Sequence, residues 1–231
     1  MNQALDIIYE NRFYGSEEDR NRVWQVLTKY YFQRWIRISD VVLDVGAGYC
    51  EFINNIQART KYALDLNPVM PLKAAPEVTV LNQNATEINI PADSVDVAFT
   101  SNFFEHLPDK AALQACLLEV HRVLKPGGLL LAMGPNIRFC YDVYWDFFDH
   151  FIPLSDRSLG EALKMTGFRL ETITPRFLPY TMKDKKPPLP ILIRAYLNLH
   201  FCWRFMGKQF LIMARKPPLD NNNRREKRPK T

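Results

Sequence analysis

The residues VVLDVGAGYCEF at positions 41–52 constrain this chain more than any other stretch. Four apolar residues (Val41, Val42, Leu43 and Val45) run into Gly46-Ala47-Gly48 and then straight into a helical pattern, with Asp44 as the polar residue inside the run. A short apolar run bounded by glycines reads as a strand buried on both faces, the kind found in parallel sheets. Glycine in the turn allows positive φ and lets a ligand come close to the backbone at a helix N-terminus. A second apolar strand, within LDLNP (64–68), ends on Asp65, 17 residues beyond Gly48. A carboxylate there offers two acceptors to the two hydroxyls of a ribose. Together the two features imply a nucleoside-containing ligand.

Two ligand classes compete, and the turn itself separates them. Dinucleotide binders use Gly-x-Gly-x-x-Gly, where the third glycine lets the helix pack on the strand. Here that third position is Glu51. An acid inside the strand followed by Gly-x-Gly resembles instead the first motif of class I S-adenosylmethionine-dependent methyltransferases. Matching pieces follow in order. VTVLNQNATEI (78–88) reads as a third strand leading to Asn84-Ala85. SVDVAFTSNFFEHLPD (94–109) reads as a fourth strand and loop, with a helix starting at Pro108-Asp109. Leu113, Cys116, Leu117, Val120 and Leu124 then recur at helical spacing. A Gly-Gly break inside LKPGGLLLAMGPN (124–136) precedes a buried fifth strand. The block from Glu119 to Gly128 is similar to the small-molecule branch of that superfamily, and the resemblance covers about positions 41–175.

What the resemblance implies can be stated residue by residue. The fold is α/β, a seven-stranded Rossmann-like sheet, mostly parallel with the last strand antiparallel, and helices on both faces. The cofactor is S-adenosyl-L-methionine. Asp44 orders its ammonium, and Gly46, Ala47 and Gly48 lie against its methionine portion. Asp65, with Leu66 beside it, takes the ribose, and Asn84 and Ala85 meet the adenine. Ser101, at the end of the fourth strand, completes the cofactor set. Asn84 departs from the acidic residue the family carries at that place.

Around the core, residues 1–39 read as a helical cover, helical mainly from Glu17 to Ile38, with Val23, Trp24, Leu27, Tyr30, Tyr31 and Trp35 as its apolar stripe. Phe13-Tyr14-Gly15 precedes it as a loop that can fold over the cofactor mouth, with Tyr14 at the methionine end. The methyltransferase domain is expected over 40–216. Ser155 caps a helix over 156–166 that stops at Gly167, and strands follow at 168–174 and 207–216. An apolar insertion, 178–206, separates those two strands. At 100° per residue Ile191, Leu192, Ala195, Tyr196, Leu199, Cys202, Trp203 and Met206 share one apolar half of a single helix. Two arginines and a length under about 20 residues argue against a membrane span. Packing on the protein's own body, a homodimer contact and a peripheral membrane contact remain open for it.

Residues 217–231 read as a disordered tail. Positions 216–231 hold six Lys/Arg and two Asp/Glu, so +4 of the chain's net +5 sits there and the rest is near neutral. With 47% apolar and 24% charged residues, the remainder has the composition of a globular protein. The four cysteines have no paired or metal-like spacing, so no metal site is expected and the chain is read as cytoplasmic, with membrane association open.

A hydroxyl acceptor must lose a proton, which calls for a base. His106 lies in the loop after the fourth strand, and His150 follows NIRFCYDVYWDFFDHFIP (136–153), the segment after the fifth. Both are candidate catalytic residues; Asp146 and Asp149 are candidate bases or histidine-orienting groups. His121 and His200 read as structural. Aromatic side chains in 136–153 suit the face of a sugar ring, making Asn136, Tyr141, Tyr144 and Trp145 candidate substrate contacts. From Asn136 to Tyr180 the sequence resembles methyltransferases of bacterial polysaccharide and glycolipid biosynthesis. The expected function is methyl transfer to a small-molecule or glycan/glycolipid acceptor, foremost on oxygen. Alternatives are N-methylation of a sugar amine or small amine, or a cofactor-binding scaffold without turnover. No nucleic-acid partner is expected, because Ser101-Asn102-Phe103-Phe104 stands where base-methylating enzymes carry Asn/Asp-Pro-Pro-aromatic.

Overall fold

A computed structural model describes residues 17–180 and 189–218. Tyr14, the tail beyond 218 and Lys183, Lys185 and Lys186 lie outside the described residues. Seven strands form one sheet in the order β3-β2-β1-β4-β5-β7-β6. They are β1 (Val41–Val45), β2 (Thr60–Leu64), β3 (Val78–Leu81), β4 (Val95–Ser101), β5 (Leu124–Pro135), β6 (Arg169–Thr174) and β7 (Gln209–Arg215). The first five pair in parallel. β7 runs antiparallel to both neighbours, β5 and β6. This is the expected fold class. β1 is buried on both faces, which is why its sequence is an apolar run rather than an alternation.

The helices follow local signals closely where capping decides. Asp109 accepts a hydrogen bond from the Ala112 N–H and opens α4 (Lys110–Val123), whose Leu113, Cys116, Leu117, Val120 and Val123 are buried. Ser155 and Ser158 form a reciprocal capping box on α6 (Asp156–Met165), and Gly167 ends that turn at φ +91°. Three shorter helices, α2 (Glu51–Asn55), α3 (Met70–Lys73) and α5 (Ile137–Cys140), follow β1, β2 and β5.

Two expectations about phase are corrected. The N-terminal helix α1 spans Glu17–Tyr30, and a 3₁₀ turn over Phe32–Trp35 follows it. The break at Tyr31 shifts the register of the stripe. Phe32 becomes fully buried while Tyr30 and Trp35 turn outward. The insertion likewise forms two helices, α7 (Pro190–Asn198) and α8 (His200–Met206), broken at Leu199. Its buried residues are Ile193, Leu197 and Trp203, whereas Ile191, Leu192, Leu199 and Met206 of the expected inner face are exposed.

The sheet divides the core in two. On one side α1, the 3₁₀ turn and α7–α8 pack over Val42, Val97, Phe99, Leu131 and Met213. On the other, α4 and α6 pack over Leu43, Ala98, Leu130 and Ile212. Phe32 sits centrally in the first cluster, with its ring against Trp24, Tyr31, Phe52, Phe99 and Phe177. Phe52 and Phe99 stack at 3.7 Å. Phe32→Ala is therefore expected to cost about 3–5 kcal/mol in urea unfolding. Trp35→Ala, at a 39% exposed position, is expected to cost under about 1 kcal/mol. Equal losses would refute the corrected register.

Candidate active site

The loops after β1 and β4 lie at the carboxyl ends of adjacent strands. After β1 the chain turns back through Gly46 (φ +74°), Gly48 (φ +54°) and Cys50 (φ +63°). The N–H groups of Gly46 and Ala47 both donate to the carbonyl of Leu64, tying this turn to the end of β2. Asp65 completes the tie: its Oδ2 accepts from the Gly48 N–H at 2.7 Å and its Oδ1 from the Asn67 N–H at 2.8 Å. The glycine turn and the second-strand acid are thus one rigid unit. α1 reaches it through Arg20, which pairs with Glu51 at 2.6 Å and lies over the Tyr49 ring.

Carboxylates converge here. Burial, then the charges of Asp65 and Glu51, push the buried Asp44 carboxyl well above the usual carboxylate range. Burial also raises Asp65, partly offset by its backbone N–H partners and by the nearby charge of His106. A turn that admits close backbone approach, ringed by acids, suits a ligand carrying an ammonium, a sulfonium and a ribose diol. Asp44, Gly48 and Asp65 are the residues that could hold such a ligand. Leu66 is exposed next to Asp65. Asn84 and Ala85 follow β3; the Asn84 side-chain oxygen accepts from the Thr86 N–H, and Ala85 is buried. The Ser101 hydroxyl ends β4 and accepts from the Asn102 amide.

One contact has no signature in the sequence. The Phe103 ring covers Gly46 so closely that a Cβ there would lie 2.3 Å from its Cγ. Gly46 is glycine for the sake of Phe103 as well as for its φ.

Beyond Phe103 the loop carries Glu105 and His106. His106 Nδ1 lies 2.9 Å from the Asp149 carbonyl and 3.2 Å from its Oδ2, and His106 Nε2 is 4.0 Å from Glu105 Oε1. The N–H groups of Phe151 and Ile152 both donate to the Glu105 carbonyl, which locks the two loops together. His150 is buried, stacked on Phe147 at 5.0 Å, edge-on to Tyr144 at 4.8 Å, and 4.9 Å from the His106 ring. The structure thus brings together the two histidines singled out in the sequence and adds Glu105. An acid beside a histidine in the otherwise apolar FFEHL was the available signal. Glu105, His106 and His150 present donor atoms within 4.8 Å of one another. A carboxylate with two imidazoles is a donor set that divalent transition ions accept, and it is invisible to sequence spacing because His150 lies so far along the chain.

Two of the four expected substrate contacts lie within the wall of the site. Asn136 is fully buried: its amide donates to Asp156 and to the Pro175 carbonyl, and its oxygen accepts from the Arg138 N–H. Tyr144 is also fully buried, its hydroxyl donating to the Ile152 carbonyl and accepting from the Leu154 N–H. Both brace the 136–154 segment and present no polar atom to a ligand. Tyr141 and Trp145 are exposed on the same segment.

Burial alone would lower the His106 pKa. The hydrogen bond His106 donates to Asp149, with the charges of Glu105 and Asp149, outweighs it and holds the pKa above the ordinary 6.5. Folded His106 therefore keeps its proton at a pH where the unfolded chain is losing it. The pairing contributes stability that is fully present below about 6.5 and lost as pH rises through the folded value. Asp149→Asn is expected to lower the His106 midpoint followed by NMR of the ring protons. An unchanged midpoint would show that Asp149 does not hold the ring.

Comparison with known proteins agrees with this geometry. Residues 43–132 match the family described as "Methyltransferase domain". A Mycolicibacterium smegmatis protein named "Probable S-adenosylmethionine-dependent methyltransferase" is 36% identical over 99 residues, covering 42% of this chain and 37% of that protein. Malonyl-[acyl-carrier protein] O-methyltransferase 1 of Coxiella burnetii is 32% identical over 142 residues, covering 58% and 49%. The chain thus spans half or less of the length of these curated relatives. The crystal structure of a SAM-dependent methyltransferase from Archaeoglobus fulgidus superposes with a TM-score of 0.65 over 88% of this chain and 99% of that one, at 21% identity, and so shares the fold. Residues 43–132 thus match a methyltransferase domain, and the chain shares its fold with S-adenosylmethionine-dependent methyltransferases.

Proposed function

We propose that this protein transfers a methyl group from S-adenosylmethionine to a hydroxyl of a small-molecule or glycan acceptor, with His106 as the base and Asp149 as its positioning residue. The observation that carries this reading is the His106–Asp149 pair, set in the loop whose Phe103 touches the glycine turn. When bound, S-adenosylmethionine supplies a methyl group already activated by its sulfonium. The protein's task is then to hold the acceptor in line, and positioning of this kind is worth roughly 7–11 kcal/mol. An imidazole held by a carboxylate, with its pKa lifted toward the working range, is matched to taking a hydroxyl proton as the bond to carbon forms. The exposed rings of Tyr141 and Trp145 lie on the segment that carries His150 and offer apolar faces to an acceptor ring. The Coxiella burnetii relative, named for O-methylation, supports oxygen as the acceptor atom.

A neutral amine acceptor needs no such base, so His106 separates the readings. His106→Ala is expected to lower kcat about 100-fold or more on a hydroxyl acceptor, with the cofactor Kd unchanged in calorimetry. An unaltered kcat would favour N-methylation. Asp65→Ala is expected to weaken S-adenosylmethionine about 10- to 100-fold, because the diol and the Gly48 N–H both lose an acceptor. Affinity within about twofold would mean that the ribose does not lie on Asp65.

A further inference from the structure

The outward side of α7 and α8 joins two properties that rarely coincide on a free surface. The first is apolar area. Leu189, Ile191, Leu192, Leu199, Phe201 and Phe205 stand out from the two helices, Phe201 at 66% and Phe205 at 72% exposure. Their inner neighbours Ile193, Leu197 and Trp203 already fill the core, so among the described residues these outer ones belong to neither core cluster. The patch continues onto α1 and the 3₁₀ turn: Arg194 lies 4.6 Å over the Tyr30 ring, Trp203 packs edge-on against Tyr31, and Trp35 is exposed beyond them.

The second property is charge of one sign. Positions 189–208 contain Arg194, Arg204 and Lys208 and no acidic residue, and positions 29–39 contain Lys29, Arg34 and Arg37 and none either. Lys29, Arg34, Arg37, Arg194 and Arg204 are exposed. Lys208 pairs with Asp142 and the Arg37 N–H with Asp40 at the edge of the patch, while a second copy seated here about a two-fold axis would set Lys29, Arg34, Arg194 and Arg204 against their own like charges. An anionic bilayer offers apolar chains and negative head groups together. Leucine, phenylalanine and tryptophan side chains interleaved with arginine and lysine are what such an interface takes. Among the described residues no helix is long and apolar enough to cross a membrane, so the contact is with the surface.

We propose that α7, α8 and the 3₁₀ turn dock this protein on an anionic phospholipid surface. α8 is tied to the 136–153 segment, because Arg176 donates to the carbonyls of Phe205 and Gly207 while lying 4.7 Å over the Phe139 ring. Docking therefore orients the acceptor side of the site relative to the bilayer. That corollary rests on the proposed function; the docking itself does not.

The test is co-flotation of the full chain with vesicles of phosphatidylcholine alone and of phosphatidylcholine mixed with phosphatidylglycerol. Binding to the anionic vesicles is expected, weaker on the neutral ones and weakened by added salt. Phe201→Glu combined with Phe205→Glu is expected to reduce binding at least about tenfold while the melting curve stays unchanged, since both rings are exposed. Arg194→Gln with Arg204→Gln is expected to reduce it and flatten the salt dependence. No flotation of the unaltered chain overturns the proposal. So does full flotation of the double glutamate variant, which retains the basic tail. A dimer that ignores vesicles and is dissociated by the same variant would overturn it in favour of self-association.

Discussion

The chain leaves β1 and β4 in different directions, and the site depends on that divergence. β2 and β3 are laid down on one side of β1, while β4 and β5 lie on the other. The loops after β1 and β4 therefore separate above adjacent strand ends and leave a crevice between them, the position where open α/β sheets receive ligands. The glycine turn and Asp65 form one wall. Phe103, Glu105 and His106 form the other, braced by the 149–152 loop through the Glu105 carbonyl. Neither wall requires a residue remote from the sheet to define its backbone. Each is fixed by hydrogen bonds to a strand end or to the loop next to it.

Electrostatics then gives the crevice a direction. Asp44, Asp65 and Glu51 gather three carboxyl groups at one end, where Arg20 pairs with Glu51 and burial pushes Asp44 and Asp65 toward the protonated form. His106 at the other end carries a proton more readily than a free imidazole because Asp149 and Glu105 face it. On the proposed function, a cationic cofactor would meet the first end and the acceptor's proton would pass to His106 at the second. The two ends communicate, since the His106 charge lowers the pKa of Asp65.

The fold was legible in the sequence because its signals are local: apolar runs ending in glycine, a serine cap at Ser155, and helical spacing from Leu113 to Val120. The seven strands and the antiparallel β7 follow from them together with the family resemblance. What eluded the sequence was phase and company. One residue's break at Tyr31 moved burial from Trp35 to Phe32, and with the insertion broken at Leu199, Ile193 and Leu197 are buried beside Trp203 while Ile191 and Leu192 face outward. Periodicity assumes an unbroken helix and has no means of detecting either. In the site, His106 and His150 were visible as candidates, but their closeness, and Glu105 between the loops, are products of tertiary folding. Asn136 and Tyr144 carried polar groups suited to a ligand, and only the structure reveals that those groups are engaged within the protein.

The placement of β7 has a consequence for how the chain is made. Among the described residues β6 is joined to the sheet only through β7, and β7 is the last strand of these. It also supplies both cores, sending Leu211 and Met213 to one face and Phe210, Ile212 and Ala214 to the other. A nascent chain whose residues up to about 200 have emerged thus holds five parallel strands ending in a bare β5 edge, with β6 still lacking a neighbour. Closure waits for the final strand to thread between two segments synthesised earlier, a long-range step of the kind that folds slowly and exposes strand edges meanwhile. Synthesis of this protein therefore passes through a stage in which an open sheet edge must be shielded until its C-terminal strand arrives.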